Sequence, residues 1–301
     1  GDGHIYLVCS KSDRLYIAFI DGSHNPSFSL SALQYPYLTG PSSFHVTDLD
    51  GDGDLDIIAN FYSATNYLQF YENDGDLNPS FTKHTLINDN FGRLTQIDSR
   101  DIDNDGDIDI IAISDGELLL FTNNGSSTPT FSKSVIKDLS GTTERFESLF
   151  IFDQNSSFRM NIITGHSSGT IAIHKNLGSG SFDIDETIVT TNASIVSDLT
   201  VADVGYGSHL DIVSSSSSSS TSKIAWYNSA GSHAETILTS SVNRPESIFA
   251  GDFDGDGDFD IISNSRLNGN IFLYESNGAS TSYFTERTIS TSESGAYNMT
   301  A

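Results

Sequence analysis

Asp48-Leu-Asp-Gly-Asp-Gly-Asp-Leu-Asp56 sets the reading of this chain, because the pattern returns as Asp101-Ile-Asp-Asn-Asp-Gly-Asp-Ile-Asp109 and Asp252-Phe-Asp-Gly-Asp-Gly-Asp-Phe-Asp260. Five carboxylates within nine residues repel one another unless a cation sits among them. Their alternate spacing in a tight turn aims successive side-chain oxygens at one centre. An all-oxygen donor set with flexible geometry and about 6–8 ligands is what Ca2+ takes. Positions one, three, five and nine are assigned as side-chain ligands: Asp48, Asp50, Asp52 and Asp56; Asp101, Asp103, Asp105 and Asp109; Asp252, Asp254, Asp256 and Asp260. Position seven (Asp54, Asp107, Asp258) is expected to offer its backbone carbonyl. Position six is Gly53, Gly106 or Gly257, where a sharp turn needs φ > 0.

The EF-hand loop also begins D-x-D-x-D-G, but it needs a bidentate Glu at position twelve and flanking helices. Here position twelve is Ala59, Ala112 or Ser263. Position nine runs straight into Ile57-Ile58, Ile110-Ile111 or Ile261-Ile262, β-branched pairs that favour strand. Each loop therefore feeds a strand.

At 301 residues the chain is long enough for a substantial core in one large β domain or two smaller ones. Acidic residues outnumber basic ones 40 to 14, and the motifs hold fifteen of the acids, so three bound Ca2+ would take the formal charge from -26 to -20. Such a chain offers no electrostatic attraction to nucleic acid or to an anionic membrane. No run reaches the roughly 20 apolar residues of a membrane span. Cys9 is the single cysteine, so no intrachain disulfide forms. Weak calcium sites fill best where the ion is millimolar, which points outside the cell. Asn124, Asn155, Asn192 and Asn298 head N-x-S/T sequons that permit secretion. The chain starts at Gly1 without a signal peptide and reads as a mature or excised segment of a secreted protein.

Aligned on position one, Asp48, Asp101, Asp153, Asp203 and Asp252 are 53, 52, 50 and 49 residues apart. The copies at 153–161 and 203–211 have lost ligands: Ser157 and Arg159 stand at positions five and seven of one, and the other lacks carboxylates at three and five. Positions two and eight stay largely apolar, as in Leu49/Leu55, Ile102/Ile108, Val204/Leu210 and Phe253/Phe259, and are expected to pack. After each loop come a strand, a polar turn, an alternating strand such as Tyr67-Leu-Gln-Phe-Tyr71, an Asn/Gly turn and a strand opening at Phe81, Phe131, Phe182 or Phe284. Period-two alternation between Asn, Gly and Ser clusters gives antiparallel hairpins. Four strands per unit of about 50 residues is the size of a β-propeller blade.

Residues 1–33 match the later part of a repeat, and residues 294–301 match the strand that precedes a loop. Pairing the two termini would close a ring and remove sheet edges. The expectation is an all-β, single-domain propeller over residues 1–301 with six four-stranded blades. The alternative is a seven-bladed ring of which this is an excerpt.

With its three D-x-D-x-D-G-x-x-D loops and the strands that follow them, essentially the whole chain resembles the FG-GAP/VCBS repeat family, the integrin-α-like β-propellers. The resemblance implies calcium in the loop joining the first two strands of a blade, carried by Asp48, Asp50, Asp52, Asp54 and Asp56 and their counterparts. It also implies an extracellular adhesion, carbohydrate-binding or scaffolding role. The Phe-Gly pair that helps name the family occurs once, at Phe91-Gly92, as in the bacterial and lectin-like branch. Members usually have seven blades, against the six counted here.

The first functional expectation is a non-enzymatic module that binds a glycan or an extracellular protein partner, its calcium being structural. Tyr35-Pro-Tyr37, Phe61-Tyr62 with Tyr67, and Phe91-Gly-Arg93 place aromatics where sugars could stack; the alternative for each ring is packing between blades. The second is a polysaccharide lyase or hydrolase. His45, His166 and His174 are the histidines placed for a cleft, although a lone strand histidine is more often a packing residue. No G-x-S-x-G, H-E-x-x-H or P-loop is present. The third is a structural repeat of a surface filament or coat. Ser214–Ser220 is expected to be a flexible or O-glycosylated excursion in a hairpin turn.

Overall fold

Side chains that alternate between two buried faces decide the architecture. The computed structural model describes residues 5–11, 14–20, 28–33, 41–61, 67–76, 79–87, 93–114, 116–154, 158–204, 209–218, 222–229, 233–277 and 284–292, and among them strands are the regular elements. The first sheet has three strands, Ile5–Lys11, Arg14–Ile20 and Phe28–Leu33. Five antiparallel sheets of four follow in chain order. The second is Pro41–Thr47, Asp56–Phe61, Tyr67–Asn73 and Phe81–Ile87. The third is Leu94–Arg100, Asp109–Ser114, Glu117–Asn123 and Phe131–Asp138. The fourth is Phe146–Asp153, Met160–His166, Ile171–His174 and Thr187–Thr190. The fifth is Ile195–Ala202, Asp211–Ser217, Lys223–Asn228 and Ala234–Thr239. The sixth is Ile248–Gly251, Asp260–Ser265, Asn270–Glu275 and Thr285–Ser290.

The β-branched pairs after each loop serve two neighbours at once. Ile57, Ala59 and Phe61 pack against Leu15 and Ile17 of the first sheet, whereas Ile58, Leu68 and Phe70 pack against Ile97, Ile110 and Leu119 of the third. Successive strand residues point to opposite faces, so a strand buried on both sides must be apolar at nearly every position. The fifth sheet repeats this: Ile212, Ala225 and Tyr227 meet Ile163, Ile171 and Ile173, while Val213, Ile224 and Trp226 meet Ile248, Ile261 and Phe272. Each such side chain contributes roughly 1.5–3 kcal/mol on full burial. Fourth strands such as Phe81–Ile87 and Thr285–Ser290 are largely exposed or half-buried. The chain divides into two compact units, Gly1–Ser140 with Gly178–Ser181 and Gly141–Leu177 with Phe182–Ala301.

Polar links join first strands within each unit. Ser43 Oγ accepts from Ile97 N at 3.2 Å, Ser148 Oγ donates to Val196 O at 3.0 Å, and Asp198 Oδ2 accepts from Ile248 N at 2.9 Å. Burial pushes the Asp198 carboxyl up to about 6, against the opposing pull of these backbone donors.

Several expectations change. Ser214, Ser215 and Ser216 are fully buried in the strand Asp211–Ser217, so the serine run begins as core and not as an excursion. Of the three, Ser215 Oγ meets Ser197 Oγ at 3.1 Å. Positions two and eight pack only in part: Ile108 and Leu210 are half-buried against core clusters, whereas Leu55 is 56%, Phe259 40% and Phe253 37% exposed. Phe182 lies in a two-stranded sheet of Asn176–Gly178 and Ser181–Phe182, ahead of the fourth sheet's last strand, which starts at Thr187. Phe61 is a core residue. Tyr35, Tyr37, Tyr62, Phe91, Asn155, Asn298 and the expected closing strand at 294–301 lie outside the described residues.

Gly165 faces Val196 and Ser148 so closely that an added Cβ would collide with both. Gly165→Ala is expected to lower stability by about 1–3 kcal/mol through overpacking. Urea unfolding checks this, and an unchanged midpoint would show that the two sheets part easily.

Candidate metal centre

Each aspartate loop is shaped by its own first residue. Asp48 Oδ1 accepts from Gly51 N at 2.9 Å and Oδ2 from Gly53 N at 3.0 Å. Asp101 binds Asn104 N and Gly106 N at 2.8 and 3.1 Å, and Asp252 binds Gly255 N and Gly257 N at 2.7 and 3.1 Å. Left-handed backbone at positions four and six turns both amides inward: φ is 77° and 98° at Gly51 and Gly53, and 64° and 99° at Asn104 and Gly106. Asn tolerates this region better than other side chains, which accounts for Asn104. The expectation covered position six; the matching Gly, Asn and Gly at position four was the signal for the other.

The carboxylates at positions one, three and nine come together. Asp48, Asp50 and Asp56 each bring an oxygen within 4.8 Å of the others, as do Asp101, Asp103 and Asp109, and Asp252, Asp254 and Asp260. Two like charges at this range repel by just under about 1 kcal/mol in bulk water and by about 3–4 kcal/mol near a protein surface. Among the described residues, none of the nine is ion-paired with Lys, Arg or His. The donor set is all oxygen and anionic, which fits a hard cation.

Positions five and seven stand outside these groups. Asp52 Oδ1 accepts from Asp54 N at 2.9 Å, Asp105 Oδ1 from Asp107 N at 3.0 Å, and Asp256 Oδ1 from Asp258 N at 2.9 Å. The position-seven side chain covers the glycine of the turn between third and fourth strands. A Cβ built on Gly75 would run into Asp54 Oδ2, and one on Gly125 into Asp107 Oδ2. Sequence reasoning missed this pairing, whose trace is the Asn-x-Gly of Asn73-Asp-Gly75 and Asn123-Asn-Gly125.

Position nine is the buried anchor. Asp56 Oδ2 accepts from Leu49 N and Oδ1 from Asn73 N, both at 2.9 Å. Asp109 does the same with Ile102 N and Asn123 N, and Asp260 with Phe253 N and Ser276 N. In the decayed copies Asn161 Oδ1 still accepts from Asn176 N at 2.9 Å, and Asp211 Oδ1 from Ser229 N at 2.8 Å. Burial pushes the Asp56 carboxyl up to about 7 and that of Asp109 up to about 6. Burial also raises Asp50 and Asp103, with their acidic neighbours adding to it.

The histidines placed for a cleft behave otherwise. His166 and His174 are buried, both on Thr164 Oγ1, at 3.0 and 2.9 Å. His45 Nδ1 lies 3.1 Å from Asp98 Oδ1.

The FG-GAP-like repeat model matches residues 1–59, 48–111, 101–164 and 208–263, so the first three matches overlap on the aspartate loops at 48–56 and 101–109. The chain belongs to the FG-GAP-like repeat family. No curated protein matches this FG-GAP-like chain. Among solved structures it is similar to an Agrocybe aegerita lectin that specifically recognises non-reducing terminal N-acetylglucosamine. The TM-score is 0.63 at 15% identity, over 97% of this chain and 81% of that one. It is also similar to BBS1N, solved in complex with ARL6DN, with TM-score 0.54 at 14% identity over 80% of this chain and 66% of the other. These likenesses carry the fold: the antiparallel sheets are the blades of a β-propeller.

Two outcomes follow from the loop geometry. Gly125→Ala is expected to lower stability by about 1–3 kcal/mol, through its positive φ and the Asp107 carboxylate. Adding Asp107→Ala should recover only the steric part in urea unfolding; full recovery would show that φ carries no penalty. The second concerns pH. Carboxyls near 6–7 in the fold and about 3.9 in the unfolded chain mean that the native state holds the extra protons between those values. Metal-free stability therefore falls as pH rises from about 4 to about 7, while a cation, needing the ionised form, binds better. Added calcium should raise the melting temperature more at about pH 7.5 than at about pH 5. Equal shifts would place Asp56 and Asp109 beyond the metal's influence.

Proposed function

We propose that this chain is an extracellular, non-enzymatic recognition propeller whose aspartate loops hold calcium and whose ligand is a glycan. The observation that carries the reading is the pairing of three all-carboxylate loops with a scaffold shared over 97% of the chain with a lectin. Calcium at Asp48, Asp50 and Asp56, and at the two equivalent groups, would supply the positive charge that these loops lack. Binding to the folded state alone stabilises it by mass action, about 2.7 kcal/mol per site at a hundred times the dissociation constant. Asp52, Asp105 and Asp256 each have a second carboxylate oxygen, and the position-seven carbonyls can complete the shell. No disulfide is available for this stiffening, and millimolar calcium outside the cell would keep weak sites filled.

A protein partner is the second reading, supported by the likeness to BBS1N, which was solved in a protein complex. Of the histidines an enzyme reading would use, His166 and His174 are buried, and His45 lies against Asp98.

A glycan-array screen with and without EGTA tests the proposal. The expected result is selective binding that weakens with EGTA, together with a lowered melting temperature. Depolymerisation of any polysaccharide would overturn the non-enzymatic reading, and a melting temperature indifferent to EGTA would overturn the calcium assignment.

A further inference from the structure

We infer that Asn123 couples the first two aspartate loops, so that a cation held at 48–56 raises the cation affinity of the loop at 101–109; this rests on the calcium reading above. Asn123 ends the third strand of the third sheet and is buried. Its backbone N–H donates to Asp109 Oδ1 at 2.8 Å, position nine of its own loop. Its Nδ2 donates to Ile108 O at 3.1 Å in that loop and to Leu49 O at 3.2 Å in the loop of the second sheet. Its Oδ1 accepts from Gly125 N at 3.3 Å.

Leu49 stands between two of the acids that converge in the first loop. Its carbonyl belongs to the peptide that leads into Asp50, and its N–H donates to Asp56 Oδ2 at 2.9 Å. The bonds therefore run from Asp56 through Leu49 and Asn123 to Asp109, and all four residues are buried, away from competing water. Each end has two arrangements. Carboxylates with oxygens within 4.8 Å of one another repel without a cation and are drawn together around one. Fixing Asp50 and Asp56 fixes the Leu49 peptide, then Asn123, then the amide aimed at Asp109. The second loop then has one of its acids already placed, which lowers the ordering cost of binding there.

The repeats give an independent sign. The amide that serves position nine belongs to Asn123, Asn176, Ser229 and Ser276 in the third to sixth sheets. Asn occurs where the loop of the repeat before keeps its carboxylates, at 48–56 and 101–109. Ser occurs where that loop has lost them, at 153–161 and 203–211. The choice does not follow the repeat's own loop: Asn176 goes with the decayed 153–161, and Ser276 with the intact 252–260. A serine side chain is too short to reach as Asn123 does. The asparagine thus tracks the neighbouring loop, as a residue serving that loop should.

Calcium titration calorimetry on the metal-stripped chain tests this, with Asp254→Ala silencing the third loop throughout. Adding Asp50→Ala, which silences the first loop, should weaken binding at the second about fivefold. Asn123→Ser keeps the amide to Asp109 and removes the reach to Leu49. In that background Asp50→Ala should leave the second loop's affinity unchanged. Serine is the residue of the fifth and sixth repeats at this position; Asn123→Ala, which also lacks the reach, is the second variant should a melting curve show serine unfolded. Equal affinity at the second loop with and without the first, or tighter binding once the first is silenced, overturns the inference. So does a fivefold effect that survives the loss of the Asn123 side chain. If neither loop takes up calcium, the calcium reading fails with it.

Discussion

The position-nine carboxyl oxygen is the contact on which each repeat turns. It sits at the start of the second strand, accepts an amide of the loop before it, and accepts another at or just past the end of the third strand. One side chain thus ties a loop to a hairpin, beside the bonds from Asn73 Nδ2 to Leu55 O and from Asn123 Nδ2 to Ile108 O. It does so at full burial, where a bare carboxylate is unfavourable. The surrounding acids make this worse, and a cation would resolve both problems together. The fourth blade shows the alternative solution. With Arg159 and two serines in the loop, Asn161 keeps the accepting oxygen and dispenses with the charge.

Much of the fold is legible in the sequence because the same physical demand is written five times. A strand squeezed between two sheets must be apolar at successive positions, and Ile57-Ile58, Ile110-Ile111 and Ile261-Ile262 meet it openly. The loops are legible because carboxylates in alternation have few other uses. What escaped reading depends on neighbours remote in sequence. Ser214–Ser216 look like linker until the fourth and sixth sheets close over them. Leu55 and Phe259 look like core, yet the loop turns them outward. Positions one, three and nine converge as three of the four expected side-chain ligands, while one position-five oxygen meets an amide two residues on. The covering of Gly75 by Asp54 joins residues 21 apart through a third strand, and its trace in the sequence is no more than the Asn-x-Gly turn.

The two ends of each strand pair carry different chemistry. One end is closed by a short loop whose carboxylates accept from its own amides. The other opens into connections of varied length, where Arg93, Arg145 and Arg244 stand in comparable positions with different neighbours. Rigid geometry at one end thus leaves composition free to change at the other, a common division between scaffold and binding loops.

Sheets that lend one face to each neighbour own no private core. Ile57 belongs to one interface and Ile58 to the next, so a middle sheet cannot be excised without stripping both. Energetically each unit behaves as a set of adhesive joints between neighbouring sheets, and the aspartate loops lie outside those joints. Mutation can therefore erase a metal set in one repeat while the joints on either side hold. The repeats at 153–161 and 203–211 lack carboxylates that the other three carry, yet the core on that side is intact around Ile163 and Ile212.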